Sequence, residues 1–189
     1  IPYVNASETI IHTHVDEDIK DYLVKMRFYD LLHNDDMFLR GEDLTLLESS
    51  VARLKRVQIV IGHGNFHLAG FDDIIRAAKT YSTIGNFTQP EVSFLEKIFY
   101  RDASQYGFMG EKPCRNITDT IDKTKVVKIK DNGHYLYTHD SLETFKKIKN
   151  DLGEEVILTS GLRGIAKQFL LFLDKARRND GNLSLASRS

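Results

Sequence analysis

Residues Glu154-Glu155-Val156-Ile157-Leu158-Thr159-Ser160-Gly161-Leu162-Arg163-Gly164-Ile165-Ala166-Lys167-Gln168 carry the reading on which the fold turns. Val156 to Leu158 is a short apolar run fit for a buried strand, and Ser160-Gly161 reads as a turn. Ile165, Phe169, Phe172 and Leu173 then recur at helical spacing, in a run that reaches Arg178. The stretch predicts a strand, a sharp turn and a helix. Arg163 falls at the turn, where the end of a strand opens into a cleft and the start of the next helix adds its own partial positive charge. A carboxylate suits such a place.

Just upstream, Lys125 to Lys130 and His134 to Tyr137 are β-prone runs joined by Asp131-Asn132-Gly133, and Asn-Gly between such runs predicts a hairpin. Asp140 stands three residues before Glu143 in the pattern of a capping box. It opens a helix carrying Leu142, Phe145 and Ile148, which Gly153 closes. Downstream, Leu183 to Ser189 reads as a small polar segment that ends without a helix stop or a folded partner. The expectation for residues 111–189 is a small domain of antiparallel sheet plus helices, incomplete at its C-terminus.

Earlier in the chain the period is helical. Ile19, Tyr22, Leu23, Met26 and Phe28 to Leu32 form a stripe over residues 16–33, after an extended lead-in. Leu44, Leu47, Val51, Leu54 and Val57 form a second, starting near Gly41-Glu42-Asp43. Gly62 to Asp73, with three glycines in its loop-like run, reads as a tight connection, and Asp72 or Asp73 starts a helix from Ile74 to Tyr81. Thr88 is placed to cap the next helix, with Pro90 in its first turn and Val92, Leu95, Ile98, Phe99 and Tyr106 as its buried stripe. Residues 1–110 thus read as a bundle of about four helices, with Gly110-Glu111-Lys112-Pro113 as the boundary. The fold class expected is α+β.

Composition narrows the function. The 189 residues include 26 basic and 27 acidic side chains, a net charge of -1, so no nucleic-acid partner is expected. No run approaches the roughly 18 apolar residues of a membrane span. The single Cys114 excludes an internal disulfide, and no histidine spacing marks it as a nucleophile. The chain begins Ile1-Pro2-Tyr3 without an initiator Met, which reads as a processed or trimmed terminus from which any signal peptide has already gone. Asn-x-Ser/Thr sequons start at Asn5, Asn86, Asn116 and Asn182.

A Ser160-Gly161-x-Arg163 turn at the end of a strand, followed by Gln168, resembles the first signature of the M15 family of zinc D-Ala-D-Ala carboxypeptidases, the VanY-like peptidoglycan peptidases. The similarity extends back through the helix Ser141 to Leu152 and forward to Leu185-Ala186-Ser187-Arg188-Ser189. In that family a zinc-bound water attacks the peptide bond before a C-terminal D-alanine while a Glu takes its proton, the metal lowering the pKa of the water to about 7. The resemblance implies that Arg163 is catalytic and substrate-binding, holding the substrate carboxylate or the anion developing on the scissile carbonyl. It also implies that Ser160 and Gln168 shape the same pocket, with Ser187 at its edge. Family members bind zinc through His-x-x-Gly-x-x-x-Asp and Glu-x-x-Trp-His motifs downstream of the arginine turn. Neither lies within these residues, and there is no Trp. Zinc is therefore expected in an intact parent protein, no metal ligand is assigned here, and this stretch alone is not expected to hydrolyse anything.

The function expected is that of a periplasmic or exported peptidoglycan-processing metallopeptidase acting on stem peptides. Two alternatives stand beside it. One is a non-catalytic cell-wall-binding or scaffold module. The other is a metal-dependent hydrolase built on His12 and His14, whose His-x-His spacing on a strand would set both rings on one face about 7 Å apart. The remaining histidines suggest no site. His67, Gly70 and Asp73 imitate the zinc motif one residue short and on the wrong side of the turn, so neither His63 nor His67 is taken as a ligand, while His134 and His139 read as surface residues.

Overall fold

A computed structural model describes residues 23, 24, 27, 28, 30–106, 113–130 and 132–188. His12, His14, most of the helix expected over 16–33, the boundary residues 110–112, Asp131 and Ser189 lie outside the described residues.

The fold is α+β, a helical bundle carrying one two-stranded antiparallel sheet. Helix α1 (Glu42–Ile61) buries Leu47, Val51, Leu54 and Val57 of the predicted stripe, while Leu44, in its first turn, is exposed. Residues 62–73 depart from expectation. They hold a short helix α2 (His63–Leu68) and the start of α3 (Phe71–Thr80), because Phe66, Leu68 and Phe71 all find places in the core and so draw the glycine-rich segment into helical turns.

Helix α4 (Gln89–Tyr100) is opened by Thr88, whose hydroxyl accepts from the Glu91 N–H while the Glu91 carboxylate accepts from the Thr88 N–H. Glu91 is only 2% exposed, and Arg53 of α1 donates to both of its oxygens, at 3.0 and 3.1 Å. The cap thereby also ties α4 to α1. Tyr106, expected on the α4 stripe, sits instead in a 3-10 turn (Ala103–Tyr106), where its ring is still buried.

Strands β1 (Val126–Lys128) and β2 (Tyr135–Tyr137) pair Val126 with Tyr137 and Lys128 with Tyr135, the hairpin that Asn132-Gly133 predicted. Helix α5 (Asp140–Leu152) follows. The capping box expected at Asp140 does not form. The helix starts one residue earlier, so Asp140 is its first residue, and His139 at the N-cap makes no side-chain cap.

Val156 to Leu158 is not a strand. Among the described residues no further strand extends the hairpin, Ile157 is 73% exposed, and the segment is tethered by the Asn132 side chain, whose Nδ2 donates to the Leu158 carbonyl at 2.9 Å. Helix α6 (Ile165–Arg178) then packs against α1, α2 and α3. One cluster of buried side chains, from Leu39 and Leu47 through Ile117 to Phe169 and Leu183, runs across the boundary expected near residue 110.

The C-terminal segment corrects a further expectation. Helix α7 (Leu183–Arg188) packs on α6 and on the 3-10 turn, and Leu183 and Ala186 join the core. Its polar residues are buried because the segment 36–39 receives them. Leu183 N–H donates to Met37 O, Leu39 N–H to Gly181 O, and Asn182 Nδ2 to Asp36. The Arg188 guanidinium pairs with the Asp36 carboxylate at 2.6 Å, with the two side chains 2% and 1% exposed.

Candidate functional site

The turn 160–164 is held from two sides. The Leu162 N–H donates to the Tyr135 carbonyl of β2 at 2.7 Å, and the Gly164 N–H donates to the His67 carbonyl of α2 at 2.7 Å. Ala166 N–H adds a bond to Ala69 O at 3.2 Å. Both glycines are required by proximity. A β-carbon would stand 2.5 Å from Tyr135 O at Gly161 and 2.6 Å from Ala69 O at Gly164. Arg163 is thereby carried between two backbone anchors, and its Nη2 donates to Ser160 Oγ at 2.6 Å.

Arg163 and Gln168 line a cavity of about 890 Å³ between the turn and α6 on one side and the α2–α3 junction and the end of α4 on the other. Ile98, Phe99, Phe169 and Phe172 give it an apolar wall, and Arg101, Asp119 and Thr120 add polar groups. Ser160 reaches the site only through Arg163. Ser187 does not line the cavity. Its hydroxyl donates to the backbone carbonyls of Ser184 and Tyr106, so it braces α7 against the 3-10 turn.

The polar groups around the cavity have different freedoms. Asp119 is committed: backbone N–H groups of Asn116 and Arg115 both donate to its carboxylate, holding it below the ordinary carboxylate range, chiefly through Asn116. Burial pushes the Tyr106 phenol up to about 12, so it stays protonated at neutral pH. Arg163 makes no ion pair with any described carboxylate. A charged guanidinium beside an apolar recess fits a ligand with an anionic end and an apolar body.

The described structure also gathers groups that local sequence did not connect. His67 and His134 lie with ring centroids 5.5 Å apart. Burial first, then the charges of Lys167, His134, Arg163 and His63, push the His67 imidazole below its ordinary value. Lys167 is likewise lowered by burial and by Arg163. Lys167 follows Arg163 by four residues with no acidic residue between them, and that pattern of unbalanced charge is the signal sequence reading passed over.

Among the described residues no group of three or more His, Cys, Asp or Glu side chains could hold a metal ion. The zinc that the resemblance implies finds no fitting donor set there, so no chemical step is assigned through it. Among the same residues no helix is long and apolar enough to cross a membrane. No family model, curated protein or solved structure matches this chain.

Proposed function

We propose that this chain is the substrate-recognition part of a peptidoglycan-processing metallopeptidase of the D-Ala-D-Ala carboxypeptidase type, with Arg163 holding the terminal carboxylate of a stem peptide. The observation that carries the reading is the state of Arg163. Its guanidinium has no described carboxylate partner, stands on a turn clamped at Gly161 and Gly164, and lines the apolar cavity.

The physical case runs from the clamp to the ligand. Arginine presents parallel N–H groups that match a carboxylate, and fixing the backbone that carries it lowers the entropy cost of engaging one. Ser160 accepts from one Nη and leaves the other donors available to a ligand. Gln168 offers an amide on the next turn of the same wall, and Phe169 and Phe172 offer apolar contact to the residue before the carboxylate. In the family that the chain resembles, a zinc ion would supply an activated water and polarise the scissile carbonyl, and no described residue is assigned to hold it. A periplasmic or exported location follows from that substrate.

The test is made on the ligand. Acetyl-D-alanyl-D-alanine with a free carboxylate should bind saturably, and its C-terminal amide should bind at least about tenfold more weakly, a difference of about 1.4 kcal/mol. Equal binding of acid and amide would refute the role given to Arg163.

A further inference from the structure

His67 on α2 and His134 in the hairpin face each other across the two elements that anchor the arginine turn, with ring centroids 5.5 Å apart and planes tilted by 46°. The Nδ1 atom of each ring is buried without a hydrogen-bond partner. His67 accepts the Gly164 N–H through its own backbone carbonyl, and His134 precedes Tyr135, which accepts from Leu162. The imidazole pair is therefore built into the clamp.

The groups whose charges act on His67 share one sign. Lys167 and Arg163 come from α6 and the turn, His134 from the hairpin and His63 from the start of α2. Lys128 of β1 and Tyr135 of β2 reach the same corner, the Lys128 Nζ 3.7 Å and the Tyr135 hydroxyl 3.5 Å from where a Gly64 β-carbon would stand. None of Arg163, Lys167 and Lys128 is ion-paired to a described carboxylate. Among the described residues Lys167 finds only the Gln58 amide oxygen, at 3.3 Å. Like charges gathered and partly desolvated, in a protein whose net charge is only -1, repel one another unless an anion sits among them.

We propose that Arg163, Lys167 and His67 form an oxyanion subsite in which ligand binding is coupled to uptake of one proton by His67, so that the ligand is held more tightly in mildly acidic solution. The proposal rests on the reading that Arg163 contacts the ligand carboxylate. In the empty site a proton on His67 adds a charge to a cationic corner and is disfavoured. A bound oxyanion reverses that balance, and by reciprocity a proton already present favours the anion.

Calorimetric titration of the full chain tests this with two probes whose own charge is constant across the range, sulfate and acetyl-D-alanyl-D-alanine, at about pH 8 and about pH 6. Running each in two buffers of different ionisation enthalpy counts the protons. Both probes should bind several-fold more tightly at the lower pH, within the limit of about tenfold per pH unit that one linked proton allows. His67→Gln should bind both with little pH dependence, and His67→Asn provides a second variant that should also flatten the profile. Unchanged affinity and no proton uptake in the wild-type chain would overturn the proposal, as would a profile that survives in both variants. The two readings fail separately. Sulfate binding with proton uptake but no dipeptide binding would support the subsite and sink the peptidase reading, whereas pH-independent dipeptide binding would do the reverse.

Discussion

Gly161 lies so close to Tyr135 that a β-carbon on it would stand 2.5 Å from the Tyr135 carbonyl oxygen, closer than non-bonded carbon and oxygen approach. The same oxygen accepts the Leu162 N–H. Contact and hydrogen bond together set where Arg163 leaves the backbone. Gly161→Ala should therefore push the turn off the hairpin, costing about 1–3 kcal/mol of stability as overpacking does. It should also weaken dipeptide binding although no ligand-contacting group is removed. Urea unfolding and calorimetry on the same preparation check both. Lost stability with unchanged affinity would show that the clamp does not position Arg163.

Asp36 and Arg188 form the most deeply buried ion pair described, and they join the segment before α1 to the last helix. Burial by itself would raise the Asp36 carboxyl. The hydrogen bonds from Arg188 and Asn182, the His33 N–H and the Arg188 charge outweigh it and hold the group at about 2, against an ordinary 3.8. The folded chain thus binds this proton less readily than the unfolded one. The stabilisation is fully present above about pH 4 and is lost as the pH falls toward about 2. Asp36→Asn should flatten that limb of the stability profile. Arg188→Met, which strands a buried carboxylate, should cost about 3–5 kcal/mol at neutral pH. A loss under about 1 kcal/mol, typical of exposed pairs, would contradict the burial described.

Thr88 and Glu91 separate a local cap from a tertiary tie. Thr88→Ala removes one capping acceptor and should cost about 1 kcal/mol. Glu91→Ala removes the reciprocal cap and also leaves Arg53 without its carboxylate, which should cost about 3 kcal/mol or more. Denaturant titration of the two variants decides. Equal losses would mean that the Arg53 contact adds nothing.

What sequence reading recovered depended on how local its cause was. The stripe of Leu47, Val51, Leu54 and Val57, the Thr88 cap and the Asn132-Gly133 hairpin are set by residues a few positions apart and form as read, apart from Leu44, which the stripe included and which is exposed. Val156 to Leu158 has strand composition, but a strand needs a neighbour, and that is a property of the whole fold. Leu183 to Arg188 reads as polar and loose because its partners, Met37 and Asp36, lie more than a hundred residues away. The site divides the same way. Arg163 and Gln168 reach the cavity from one local motif, and Ser160 bonds to Arg163, whereas Ser187 turns to backbone carbonyls. His67 and His134 meet only when α2 and the hairpin close on the turn, which no spacing between them announces.

The most direct test replaces the guanidinium and leaves the clamp. Arg163 is partly exposed and bonds only to Ser160 among the described side chains, so Arg163→Gln should leave thermal stability unchanged. Calorimetric titration with acetyl-D-alanyl-D-alanine should show saturable binding to the wild-type chain and at least about tenfold weaker binding to Arg163→Gln. Equal affinity in the two proteins would contradict carboxylate recognition by Arg163, and with it the functional reading built on that residue.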